Sequence, residues 1–204
     1  MAATPAVLLV QSEVIFGVII AAILLGERPS LRQILGIVMA SCGVVVILGA
    51  PALAGQWLGI GLVLSGALVW AFGQVLIRRL DGALGGFQLT AWIGVMAGPQ
   101  MLLASFFIDG NPLPAIQAAP IEAWLTVIYL GVVMTAIGYS AWYYLLARYP
   151  VPMVMPVLLL LPVAAIFGAV TMLGEVPDPM VLAGGMVVIF GVGVVVVEPA
   201  YLLA

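Results

Sequence analysis

One carboxylate stands out in this chain because of where it lies. Glu13 follows Gln11 and Ser12 inside an otherwise apolar run that begins near residue 5. If that run crosses a bilayer, Glu13 sits near the midplane, where a charged carboxylate costs about 2.5–3.5 kcal/mol on insertion scales. Such a group must face a polar cavity or a partner. It could contact the cation of a substrate, or couple a proton to movement. The plainer alternative is a protonated Glu hydrogen-bonded to a neighbouring helix. Further candidates are the amides and aromatics Gln74, Gln88, Trp92 and Gln100, with Thr90 among them, and then Tyr139, Trp142 and Tyr143. Aromatic faces hold cations or planar solutes, and amides fix their orientation. Tyr139, Trp142 and Tyr143 are spaced three and four apart, which places them on one helical stripe. The same stripe also suits an interfacial belt, because Arg148 is close by. Gln74, one turn from Arg78, suits the interface equally well.

Other chemistries lack their residues. The chain has no His and no Lys, and Cys42 is its single Cys. A disulfide within one chain, a Cys/His metal site, a Ser/Lys nucleophile and a retinal Schiff base are therefore excluded. Cys42 is expected to pack within the small-residue segment Ala40–Gly43. There is no phosphate-binding loop of the Walker type. A net charge of −3 with five Arg gives no basic surface for nucleic acid. No cofactor and no enzymatic reaction are expected.

The elements that position these residues follow from composition. Of 204 residues, 66% are hydrophobic and 6% charged, against about 25% charged in ordinary soluble domains. Thirteen charged side chains cannot clothe a water-soluble surface of this size, whereas lipid asks for apolar surface. Seven apolar stretches, near 5–26, 33–50, 57–77, 87–108, 123–147, 151–173 and 180–198, predict an all-α membrane protein of about seven transmembrane helices. The connection Asp109 to Glu122 holds Pro112, Pro114 and Pro120 and reads as an exposed loop. Glu13 interrupts the first run and no basic residue precedes it, so a cleaved signal peptide is not expected. All five Arg fall in alternate connections, which makes that face cytoplasmic by the positive-inside rule. The C-terminus is then cytoplasmic as well.

An internal repeat says more. Leu25-Gly26-Glu27 recurs as Leu173-Gly174-Glu175, a shift of 148 positions. At the same shift Pro29 matches Pro177, Gly36 matches Gly184, and Gly43 matches Gly191. Glu13 breaks the symmetry, because Leu161 stands at its counterpart. Ser30 and Asp178 are suitable N-caps for the helices that follow the turns, and the spaced glycines let helices approach closely. Glu27 and Glu175 read as architectural, accepting bonds from backbone N–H groups of the following helix. Pro152 reads as a first-turn proline, and Pro162 as the best hinge. An odd number of spans separates the copies, so they lie upside down relative to each other. Inverted repeats are typical of secondary transporters, with the substrate near the midplane.

These elements resemble the EamA family of the drug/metabolite transporter superfamily. Leu24-Leu25-Gly26-Glu27-Arg28 with Gly36 and Gly43 is similar to the end of a first repeat, which gives residues 1–50 as its last two helices. Gly59 to Gly193, including Leu161-Pro162-Val163 before Leu173-Gly174-Glu175, resembles a complete second repeat of five helices over 57–199. Family members have ten helices in two inverted halves, so the resemblance implies helices four to ten, with the first three absent. Where the family has Glu-Pro-Val, this chain has Glu13-Val14-Ile15. The implied function is movement of a small metabolite or drug-like solute by alternating access in a bacterial inner membrane. The alternative is a non-transporting fragment or an assembly subunit. A homo-oligomer or a partner chain could supply the missing helices. The expected binding set is Glu13, Gln11, Gln74, Gln88, Trp92, Tyr139, Trp142 and Tyr143, with Gly26, Glu27, Pro162, Gly174 and Glu175 structural.

Overall fold

The computed structural model describes residues 3–49, 56–80, 82–108, 110–174 and 176–197. Among them no strand forms, and seven helices are long and apolar enough to cross a membrane. They are α1 (Ala6–Leu24), α2 (Leu31–Leu48), α3 (Trp57–Arg79), α4 (Gly86–Ile108), α5 (Ile121–Arg148), α6 (Val151–Met172) and α7 (Pro179–Val196). Their order and lengths match the seven apolar runs within a few residues. The connection after α4 is more structured than its prolines suggest. Leu113–Gln117 forms a short helix with Pro114 in its first turn, where the missing N–H costs nothing.

Helix starts follow their caps. Ser30 Oγ accepts from Gln33 N at 3.2 Å, and Gln33 Oε1 accepts from Ser30 N at 2.9 Å, a reciprocal box that fixes the start of α2. Asp178 Oδ1 accepts from Met180 N at 2.8 Å and caps α7. Gly26 and Gly174, the glycines of the repeated motif, have φ of +71° and +67°. In that left-handed region a side chain would clash, so glycine can end the helix and turn the chain.

The chain divides into two compact units, one built of α1, α2, α3, α6 and α7, the other of α4 and α5. In the first, α2 and α7 cross antiparallel through their glycines. A Cβ at Gly36 would stand 2.7 Å from the Gly191 carbonyl oxygen, and one at Gly43 would stand 2.8 Å from that of Gly184. Any side chain there would push the two backbones apart. Cys42 is on the outer face, in an apolar groove with Ile15, Val38 and Val45, while Ala40 and Gly43 face inward. The helical turn thus separates this cysteine from the small residues beside it. In the second unit Gly86 packs against the Ser140 backbone, and Ser140 Oγ and Thr90 Oγ1 lie 3.3 Å apart.

Three spans depart from regular α-geometry. α1 breaks at Gln11, between the helical segments Ala3–Val10 and Ser12–Leu24. α6 passes through a 3-10 stretch, Met155–Leu160, before its second segment opens at Leu161. α5 contains a π stretch, Leu130–Tyr139.

Candidate functional site

The polar trio Gln11-Ser12-Glu13 coincides with the break in α1. Ser12 Oγ donates to the Leu9 carbonyl at 2.6 Å, a local bond that competes with helical hydrogen bonding and bends helices. Val14 N then bonds Gln11 O at 3.2 Å, a tight three-residue closure. Glu13 is 7% exposed and Gln11 9%. Among the described residues neither side chain takes part in a hydrogen bond or an ion pair. Both residues are largely buried, yet their polar side-chain atoms are not sealed off from access. In a membrane helix that pattern marks a place where something polar is accommodated.

α6 runs antiparallel to α1 beside this trio. Gly17 packs on the Met155 sulfur, and near the helix ends Glu27 reaches Val151. The 3-10 stretch therefore passes α1 near Gln11–Glu13. Pro156 lies in the first turn of that stretch, and Pro162 in the first turn of the segment after it. Pro162 has no N–H to offer the Leu158 carbonyl, which instead accepts from Leu161 N. The irregular geometry lies ahead of Pro162 rather than beyond it. Pro152 is in the first turn of α6, as expected.

Gln74 occupies another depth. Ile20, Ile23 and Leu24 of α1 line one groove with Leu68, Val69 and Phe72 of α3, and Glu27 beyond α1 meets Arg78 at the end of α3, so these helices run parallel. Gln74 stands four residues before Arg78, about 6 Å along the axis, whereas Glu13 stands eleven before Leu24, about 17 Å. Gln74 is 2% exposed and has a partner. It belongs to the Arg-bearing end, not to the trio.

The other expected residues belong to the second unit. Gln88 is exposed, and its Oε1 accepts from Gly85 N at 3.2 Å, capping its own helix. Trp92 is 57% exposed. Tyr139, at the end of the π stretch, and the buried Tyr143 hold their rings 5.7 Å apart. Trp142 is half-buried and Gln100 exposed. Tyr144, which the stripe argument passed over, lies with its ring 4.1 Å from the Arg148 guanidinium. That cation–π contact fits a helix end at the membrane surface.

The Leu-Gly-Glu glutamate has a definite geometry in the first copy. Glu27 Oε1 accepts from Arg78 Nε at 2.8 Å, and Oε2 accepts from Val151 N at 2.7 Å. The backbone N–H it meets belongs to the start of α6, not to the following helix α2. The reason is direction: Gly26 turns the chain across the bundle end, while Ser30 and Gln33 already cap α2. Glu175 lies outside the described residues.

The family model described as "EamA-like transporter family" matches residues 1–49 and 57–197. The chain belongs to the EamA-like transporter family. It is a multi-pass membrane protein, and the members of its family are transporters rather than enzymes. It is 33% identical over 189 residues to a "Probable terminal-alkyne amino-acid exporter" of Streptantibioticus cattleyicolor, covering 91% of this chain and 61% of that protein. It is 30% identical over 192 residues to a "Probable amino-acid metabolite efflux pump" of Salmonella typhimurium, covering 90% and 64%. An Escherichia coli protein with the latter name is 28% identical, with the same two coverages. This EamA chain thus spans less than two thirds of the length of these relatives. No solved structure matches it.

Proposed function

We propose that this chain forms the solute path of a secondary transporter, with Gln11 and Glu13 recognising a cationic or amine-bearing metabolite at the break in α1. Glu13 carries the reading, a largely buried residue whose carboxyl keeps some access and makes no hydrogen bond among the described residues. Discontinuous helices that leave polar groups facing a cavity are the usual construction of transporter sites. The named functions of the relatives make amino-acid-derived solutes the first class to try, in the direction of export.

Alternating access of two inverted halves is the proposed mechanism. Shifted back by 148 positions, Met155–Leu160 falls on residues 7–12, which contain the break at Gln11. The same shift exchanges the contact Gly36–Gly191 with Gly43–Gly184. Both coincidences support a two-fold relation between residues 1–50 and 57–199. The Arg pattern supports a cytoplasmic Arg-bearing end and an inner-membrane setting.

The test is efflux from proteoliposomes loaded with amino-acid-derived amines under an imposed proton gradient. Glu13→Gln is expected to reduce the rate at least about tenfold, equivalent to about 1.4 kcal/mol at the limiting step. Unchanged flux would remove Glu13 from the mechanism.

A further inference from the structure

At one end of the first unit, three polar ties among the described residues join α2 and the α1–α2 turn to the other helices. Two are those of Glu27, to Arg78 at the end of α3 and to Val151 N at the start of α6. The third runs from Arg32 Nε to the Val194 carbonyl in the last turn of α7, at 3.0 Å. Each matches the charge preference of a helix end, with an anion at an N-terminus and cations at C-termini. Asp178, at the opposite end of α7, accepts from its own helix instead.

Glu27 does more than decorate this end. Its two oxygens hold two different helices, so one side chain pins α1 to α3 and α6 together. Directly inward on α3 lie Ala71 and Val75, at 0% and 1% exposure. Parting α1 from α3 and α6 at this end requires both Glu27 bonds to break. The released groups would be an arginine, a carboxylate and a first-turn N–H, all of which water at the membrane surface can satisfy. A tie of that kind is breakable, unlike the glycine contact of α2 with α7.

We propose that Glu27 is the closing residue of the Arg-bearing end, a clasp that must open each time the solute path is exposed on that side. The proposal rests on the alternating-access reading, but its test needs no transport. In a Cys42→Ser background, Val75→Cys reports the space under the clasp and Ala67→Cys reports the same buried stripe of α3, about 12 Å deeper. Both are labelled with a water-soluble maleimide on the full chain in lipid nanodiscs. Glu27→Gln, and separately Arg78→Gln, are expected to speed labelling at Val75→Cys about tenfold while changing Ala67→Cys less than about twofold. Arg78→Gln leaves the Val151 contact intact and serves where Glu27→Gln does not fold. Unchanged labelling at Val75→Cys overturns the clasp. An equal rise at both reporters also overturns it, because the carboxylate would then be holding the bundle together generally. A silent result for Glu13→Gln in efflux would leave this outcome standing.

Discussion

The Gln11–Glu13 trio combines two features that a membrane helix normally avoids, a backbone break and polar side chains at largely buried positions. If the site exists for solute, removing its polarity should help folding. Glu13→Leu installs the residue found at the matching place of the second copy, Leu161. It is expected to leave stability equal or raise it by about 0.5–2 kcal/mol, the cost of a polar group whose burial is partly compensated, while abolishing efflux. Thermal unfolding in detergent alongside the flux assay separates the two effects. A marked loss of stability would instead mean that the carboxyl serves the fold. Sequence alone singled out this residue as a candidate, because a carboxylate within an apolar run carries its own signal. It could not locate the role of Gln88, whose amide turns back to its own helix start. The choice between capping and reaching inward depends on where the helix begins, to within one residue.

At the scale of elements, hydropathy and caps were sufficient to place the seven spans, since length and apolarity are what a bilayer demands. The interruptions were less legible. Prolines flagged α6, but the tight stretch, Met155–Leu160, holds Pro156 in its first turn and ends just ahead of Pro162, which withholds a donor from Leu158. In α5 the π stretch has no proline at all, and Thr135 bonding back five residues to Leu130 becomes visible only in the structure. The glycine contact of α2 with α7 makes a sharper prediction. Gly191→Ala would put a Cβ 2.6 Å from Ala40 N and 2.8 Å from Gly36 O. It should destabilise by about 1–3 kcal/mol, as overpacking does. Gly193→Ala, two residues on with open space around it, should be neutral or stabilising by up to about 1 kcal/mol. Thermal midpoints of the two variants in one detergent check the difference. Equal effects would mean that the crossing is looser than it stands.

For the molecule as a whole, the arginines set the frame. Arg28, Arg32, Arg78 and Arg79 gather at one end of the five-helix unit, around Glu27 and the start of α6. The positive-inside rule then predicts a cytoplasmic end for α7. A fluorescent protein fused to the C-terminus should glow and an alkaline phosphatase fused there should stay inactive; active phosphatase would reverse the orientation. The family could be read from the order and repetition of short motifs, because the resemblance spans nearly the whole chain. The clasp could not, because Glu27, Arg78 and Val151 are far apart in sequence and only the fold brings them together. The glycine crossing also bears on genetics. When a bulky residue meets another side chain, a trimming mutation at the facing position can restore the fit. At Gly36 and Gly191 each residue faces the other's backbone oxygen, and neither has anything left to trim. Lesions there should yield revertants but no second-site suppressors at the facing glycine.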